Sequence, residues 1–160
     1  MIIQHRRRRE KKTNYKKRLA LIRSRKPRLV IRKRLNNISI QFINFNPKGD
    51  ETIASAFSTE LKKLGWKFSL GNIPSAYLTG LLAGNKAKGK VKEAVLDIGL
   101  QTSIKGSRIY SALKGVLDSG INVKHSENIL PTEERIKGLH ISEAVSKNFE
   151  EVKEKILKGA

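Results

Sequence analysis

From residue 28 the chain alternates. RLVIRKRL puts Arg28, Val30, Arg32 and Arg34 on one side of an extended strand and Leu29, Ile31 and Leu35 on the other, because successive strand side chains point to opposite faces. One side reads as core and the other as cationic. Asn36-Asn37 supplies a two-residue hairpin turn, since Asn tolerates positive φ. ISIQFINF then carries Ile38, Ile40 and Phe42 on one face, with Ser39 and Gln41 on the other. Pro47-Lys48-Gly49-Asp50 makes a second turn, and ETIASAF a third short strand. The pattern predicts an antiparallel meander with a polar, basic outer face.

Helical spacing follows. Residues 58–64, closed by Gly65, read as a helix, and Trp66 beyond it reads as a packing anchor rather than a base-stacking platform. Pro74 opens a helix through Gly84, with Tyr77, Leu78, Leu81 and Leu82 on its apolar side and Gly80 and Gly84 allowing close approach to a sheet. Lys86, Lys88, Lys90 and Lys92 sit at or past its C-terminal end, where cations offset the helix dipole. AVLDIG is a β-branched apolar run suited to a buried central strand. A loop, LQTSIKGSR, leads to a helix with Ser107 as N-cap, a stripe of Ile109, Leu113, Val116 and Leu117, and Gly120 at its end. INV follows as another strand, so residues 94–123 read as a βαβ unit with a right-handed crossover. Beyond Ser126 come a short helix between Pro131-Thr132 and Gly138, and a longer one over residues 142–157. In the longer one Val145, Phe149, Val152 and Ile156 form a stripe that must dock on this domain or a neighbour, with Glu143/Lys147 and Glu151/Lys155 as exposed pairs. The fold class expected is α/β: a mixed β-sheet packed with helices, a basic N-terminal arm and a C-terminal helical extension. The expected divisions are an arm at 1–27, a core domain at 28–126 and an extension at 127–160.

Charge changes the picture at one end. The first 34 residues hold 16 of the 34 Lys and Arg and one of the 14 acids, so +15 of the net +20 is concentrated there. Such asymmetry points to a polyanionic partner. Arg6, Arg7, Arg8, Arg9, Lys11, Lys12, Lys16, Lys17, Arg18, Arg23, Arg25 and Lys26 belong to a stretch too polar to pay for its own ordering. It reads as an arm that orders against phosphates, partly as helix over residues 14–24, rather than as an idle tail. Zero cysteines exclude disulfides, thiolate zinc sites and cysteine nucleophiles. No run approaches a membrane span, and the N-terminus lacks the apolar region of a secretory signal. A mitochondrial presequence is disfavoured by Glu10 and by the scarcity of early serine.

Candidate chemistry is thin. GNKAKGKV nearly matches a phosphate-binding loop, but Val91 replaces the magnesium-binding hydroxyl and the stretch leaves a helix rather than entering one. Asp97 on a central strand raises a metal-dependent nuclease of ribonuclease H type; Glu51, Glu60 and Glu93 have no spacing that makes them converge on it. A lone strand-end Asp more often caps a loop. His5, His125 and His140 accompany no nucleophile motif. A polybasic membrane-surface binder is a third alternative.

Four blocks carry a resemblance: RRRREKKTNYKKRLALIRSRKPRLVIRK, GWKFSLGNIPSAYLTGLLAGNKA, DIGLQTSIKGSRIYSALKGVLDSG and HSENILPTEERIKGLHI. In this order the chain resembles the archaeal and eukaryotic form of the 5S rRNA-binding L-eighteen family of the large ribosomal subunit. The resemblance implies a cytoplasmic, ribosome-bound structural protein, with 5S rRNA, large-subunit rRNA and neighbouring large-subunit proteins as partners. It implies no catalysis, no cofactor, no metal, no small-molecule substrate and no membrane. The family's arm pattern falls on Arg6 to Arg9 and on Tyr15 to Arg18, its basic strand on Arg28, Arg32 and Arg34, and its glycine-rich basic loop on Lys105, Gly106, Ser107 and Arg108. The family often has glycine and aspartate where Lys11 and Asn14 stand. It commonly has a longer start before the arginine run, and the long eukaryotic C-terminal extension is absent here. Arginines bridge phosphates or stack on splayed bases, and Tyr15 or Tyr110 can stack likewise; for Tyr110 a core role stays equally open.

Overall fold

The computed structural model describes residues 3–159; Met1 and Ile2 of the arm and Ala160 of the extension lie outside the described residues. Two helical pieces, α1 (Arg6–Arg9) and α2 (Tyr15–Ile22), precede strands β1 (Arg28–Lys33), β2 (Ile38–Asn44) and β3 (Glu51–Phe57). A short 3₁₀ turn at Ser58–Lys62 leads to α3 (Ile73–Ala87), β4 (Glu93–Asp97), α4 (Arg108–Asp118) and β5 (Asn122–Val123). After a second 3₁₀ turn at Glu127–Ile129 come α5 (Glu133–Lys137) and α6 (Glu143–Leu157). The five strands form one mixed sheet in the order β3-β2-β1-β4-β5. The meander β1-β2-β3 is antiparallel, whereas β1 and β4, and β4 and β5, run parallel.

One face of the sheet is the core. Leu29, Ile31, Ile38, Ile40 and Phe42 are buried to within 1 % exposure, as the alternation requires, beneath α3 and α4. Three details differ from the sequence pattern. The hairpin reverses one residue early: Arg34 N–H donates to Asn37 C=O at 2.8 Å, which leaves Leu35 at the tip and 87 % exposed rather than on the core face. Helix α3 runs past Gly84 to Ala87. Its glycines face a helix, not the sheet: a Cβ on Gly80 would strike the Ala112 carbonyl and one on Gly84 the Ser119 side chain, while from α4 one on Gly115 would strike the Tyr77 carbonyl. Backbone therefore packs on backbone between α3 and α4. Trp66 is a packing anchor, 3 % exposed, its indole N–H donating to Ser69 C=O at 3.1 Å.

The C-terminal helix docks at home. Its stripe of Val145, Phe149, Val152 and Ile156 is buried, with the Phe149 ring 5.5 Å from that of Tyr77 on α3. Asn148 accepts from Lys67 N–H and donates to Gly65 C=O, and Asn85 donates to Ile156 C=O. Burial, and then a 2.8 Å hydrogen bond to Asp118, push the Tyr77 hydroxyl pKa well up. The exposed pairs differ from those expected. Lys155 reaches Leu64 C=O, Glu151 accepts from Asn148, and the i,i+4 ion pair is Glu154 with Lys158.

Candidate nucleic-acid interface

The arm is ordered by local contacts. Asn14 caps α2, its side chain accepting from Lys17 N–H at 3.0 Å; an aspartate there would cap equally well. Arg7 donates to Thr13 Oγ1 at 2.9 Å, and the His5 ring lies 5.1 Å from Tyr15. Lys11 has φ +50°, the left-handed region in which glycine is at ease and an L side chain costs about 1 kcal/mol or more. This gives the glycine expected in relatives a physical reason, and makes Lys11 a strained substitute.

The outer face of β1 is the main correction to the sequence pattern. Val30 pairs with Asp97 across the parallel ladder, so the Asp97 carboxylate stands on the same face as Arg28 and Arg32. Arg28 donates to Asp97 at 3.0 Å and to Asp50 at 2.6 Å, and Arg32 donates to Asp97 Oδ1 at 3.0 Å. Asp50 also accepts from Arg18 of α2 at 2.9 Å. A ladder of alternating charge, Arg18, Asp50, Arg28, Asp97, Arg32, therefore runs from the arm onto the sheet. Arg28 is only 5 % exposed and is an internal ion-pair residue, not a member of an open cationic face. Arg32 is half-buried on Asp97, and Arg34 alone of the three is fully exposed. Asp97 also accepts from Gly99 N–H, the loop-capping role expected of a strand-end aspartate.

The remaining sites divide the same way. Arg108 clamps the hairpin tip to the segment before α3, donating to Gly71 C=O at 2.6 Å and Leu35 C=O at 3.3 Å. Lys105 is exposed beside it. Ser107 precedes α4 without a side-chain capping bond, and Gly106 N–H is held by Ile129 C=O. Tyr110 is buried, its hydroxyl bonded to Ser103 Oγ, so the core role holds. Tyr15 is half-buried on His5.

Among the described arm cations, Arg6, Lys12, Arg18 and Lys26 are ion-paired, to Glu10, Glu10, Asp50 and Glu93. Arg7, Arg8, Arg9, Lys11, Lys16, Lys17, Arg23 and Arg25 have no carboxylate within ion-pair reach and are exposed. The Lys26 pair holds the exposed Glu93 carboxyl below the usual range, first by hydrogen bond and then by charge. The carboxylates of the nuclease alternative do not converge. Glu51 is taken by Asn46, Glu60 by Lys86 and Phe57 N–H, Glu93 by Lys26 and Asp97 by two arginines. The residue that sequence reasoning missed is Asp50, read only as part of a turn. Its signal was present: it is the first acid after Glu10.

An α/β domain whose sheet-side carboxylates are each held by a neighbouring side chain, and which presents a cluster of unpaired cations at one end, has the surface of a polyanion-binding protein. The sequence matches the family described as "Ribosomal large subunit proteins 60S L5, and 50S L18" over residues 2–94 and 85–126, and the chain belongs to that family. It is 57 % identical over 150 residues, 93 % of this chain and 77 % of the relative, to "Large ribosomal subunit protein uL18" of Korarchaeum cryptofilum. Against the protein of that name from Methanococcus maripaludis it is 53 % identical over 137 residues, covering 85 % of this chain and 71 % of the relative. Members are structural parts of the large ribosomal subunit, not enzymes. No helix among the described residues is long and apolar enough to cross a membrane.

Proposed function

We propose that this large-subunit ribosomal protein binds 5S rRNA and helps attach it to the large-subunit rRNA in the central protuberance, beside neighbouring large-subunit proteins. The eight unpaired arm cations are the observation that carries this: a protein at work on its own fold has no use for so many like charges that no carboxylate answers. The arm supplies affinity by neutralising phosphates. Arg32 on the sheet, Arg34 at its hairpin end, and Lys105 with Arg108 at the loop, set orientation by shape, since RNA duplexes offer phosphates and 2′-hydroxyls rather than readable base edges. Arg28 serves from beneath, fixing the two carboxylates that hold Arg18 and Arg32.

If six to ten phosphates are neutralised, log affinity falls against log salt with a slope of roughly −4 to −9. The decisive measurement is competition: labelled 5S rRNA displaced by unlabelled 5S rRNA, by transfer RNA and by anionic vesicles. Displacement by 5S rRNA at far lower concentration supports the proposal. Equal displacement by all three, or a flat salt response, sinks it.

A further inference from the structure

Between α2 and the outer face of the sheet lies a cavity of about 630 Å³, a size that holds a small ligand. Its floor is apolar, with Val30, Ile43, Leu96 and Ile98 on the sheet side and Leu21 of α2 opposite. Arg7, Lys12 and Lys17 also line it. Helix α2 buries no residue, so its apolar side and the sheet leave a slot between them. Arg28 lines this slot too, and its Nε–H is buried with no acceptor among the described residues. Its terminal nitrogens are engaged by Asp50 and Asp97. A buried donor without a partner favours any occupant that brings an acceptor.

Resting on the RNA-binding reading above, we propose that this cavity takes one unstacked nucleotide of the bound RNA. The base lies between Leu21 and the sheet floor, one of its acceptors meets Arg28 Nε–H, and its phosphate meets Arg7 and Lys17. A nucleotide matches all three features: flat apolar faces, an acceptor edge and an anion on a tether. Inorganic phosphate would leave the apolar floor uncovered, and an acyl chain would leave Arg28 unanswered. Every base can answer this wall, with a carbonyl oxygen in guanine, uracil and cytosine or a ring nitrogen in adenine. The two carboxylates on the wall do not oppose the anion, since Arg18, Arg28 and Arg32 already neutralise them.

The test uses the full chain bound to 5S rRNA, probed with reagents that between them modify all four unpaired bases. The wild-type complex is expected to protect such a base. Leu21→Trp fills the slot and keeps every arm cation; it is expected to re-expose that base and weaken binding roughly tenfold, the scale of one lost base-stacking contact, with the salt slope unchanged. Leu19→Trp, which adds the same bulk on an exposed position of α2 that does not line the slot, is expected to retain the protection, and circular dichroism of both variants reports on folding. The proposal is overturned if the wild-type complex protects no unpaired base, or if the protection survives Leu21→Trp. A wild-type chain that shows no salt-dependent binding would sink the RNA-binding reading itself, and that is seen in the titration before any probing.

Discussion

Arg28 and Arg32 share one strand face, yet they do different work. Arg28 is enclosed by Asp50 and Asp97, whereas Arg32 keeps about a third of its side chain in solvent. Removing a buried partner leaves charges uncompensated, so Arg28→Ala is expected to cost about 3–5 kcal/mol, read as a lower urea midpoint. Arg8→Ala is expected to leave the midpoint unchanged and to reduce the salt slope of RNA binding by about 0.7–0.9. If Arg28→Ala left stability intact, the ladder would have no structural role. Alternation in the sequence did group Arg28, Val30 and Arg32 on one face. It was silent on what covers them, because the carboxylates lie 22 and 69 residues away, and nothing in local spacing brings them there. Lys11 and Arg25 were equally hidden: positive φ, at 50° and 55°, is a property of the folded arm, not of residue type.

Elements were legible wherever a single face decides them. The three-strand meander, the βαβ unit and the stripe on α6 all follow from period alone. What period cannot reveal is which neighbour a small residue admits. Gly80 and Gly84 read as contacts to a sheet, but they face α4, and Gly80 together with Gly115 of α4 lets the two helices meet backbone to backbone. Gly115→Ala would gain about 1 kcal/mol of helix propensity and lose more, because its Cβ falls on the Tyr77 carbonyl and the helices must separate. A net loss of about 1–3 kcal/mol is expected, measured by thermal unfolding; a stabilised variant would show that the helices part freely. The tether between the arm and β4 has a pH signature. Lys26 lowers the Glu93 pKa, so its contribution is present above the ordinary glutamate range and is lost as pH falls through the depressed value. In a carboxyl NMR titration the Glu93 midpoint should lie below that of an unpaired glutamate, and Lys26→Ala should return it to the ordinary range. An unmoved midpoint would mean that the pair does not form in solution.

At the scale of the whole molecule the question is whether the arm belongs to the fold or to the partner. It touches the rest of the protein through the exposed or half-exposed pairs Arg18 with Asp50 and Lys26 with Glu93, solvent-screened pairs of the kind that add little stability, and α2 buries no residue. The core beneath α3, α4 and α6 owes nothing to residues before Leu29. Deleting residues 1–26 is therefore expected to leave cooperative unfolding nearly unchanged, with a small loss from the two pairs. Binding should change far more. The deletion removes eight unpaired cations; if each meets a phosphate at about −0.7 to −0.9 per contact, most of the salt slope disappears and affinity falls by orders of magnitude at low salt. What remains would come from Arg32, Arg34, Lys105 and Arg108, weak but retaining preference for 5S rRNA over transfer RNA if the sheet and loop set orientation. A truncated chain that unfolds would place the arm inside the folding unit. One that folds but binds every RNA equally would move specificity from the sheet and loop into the arm.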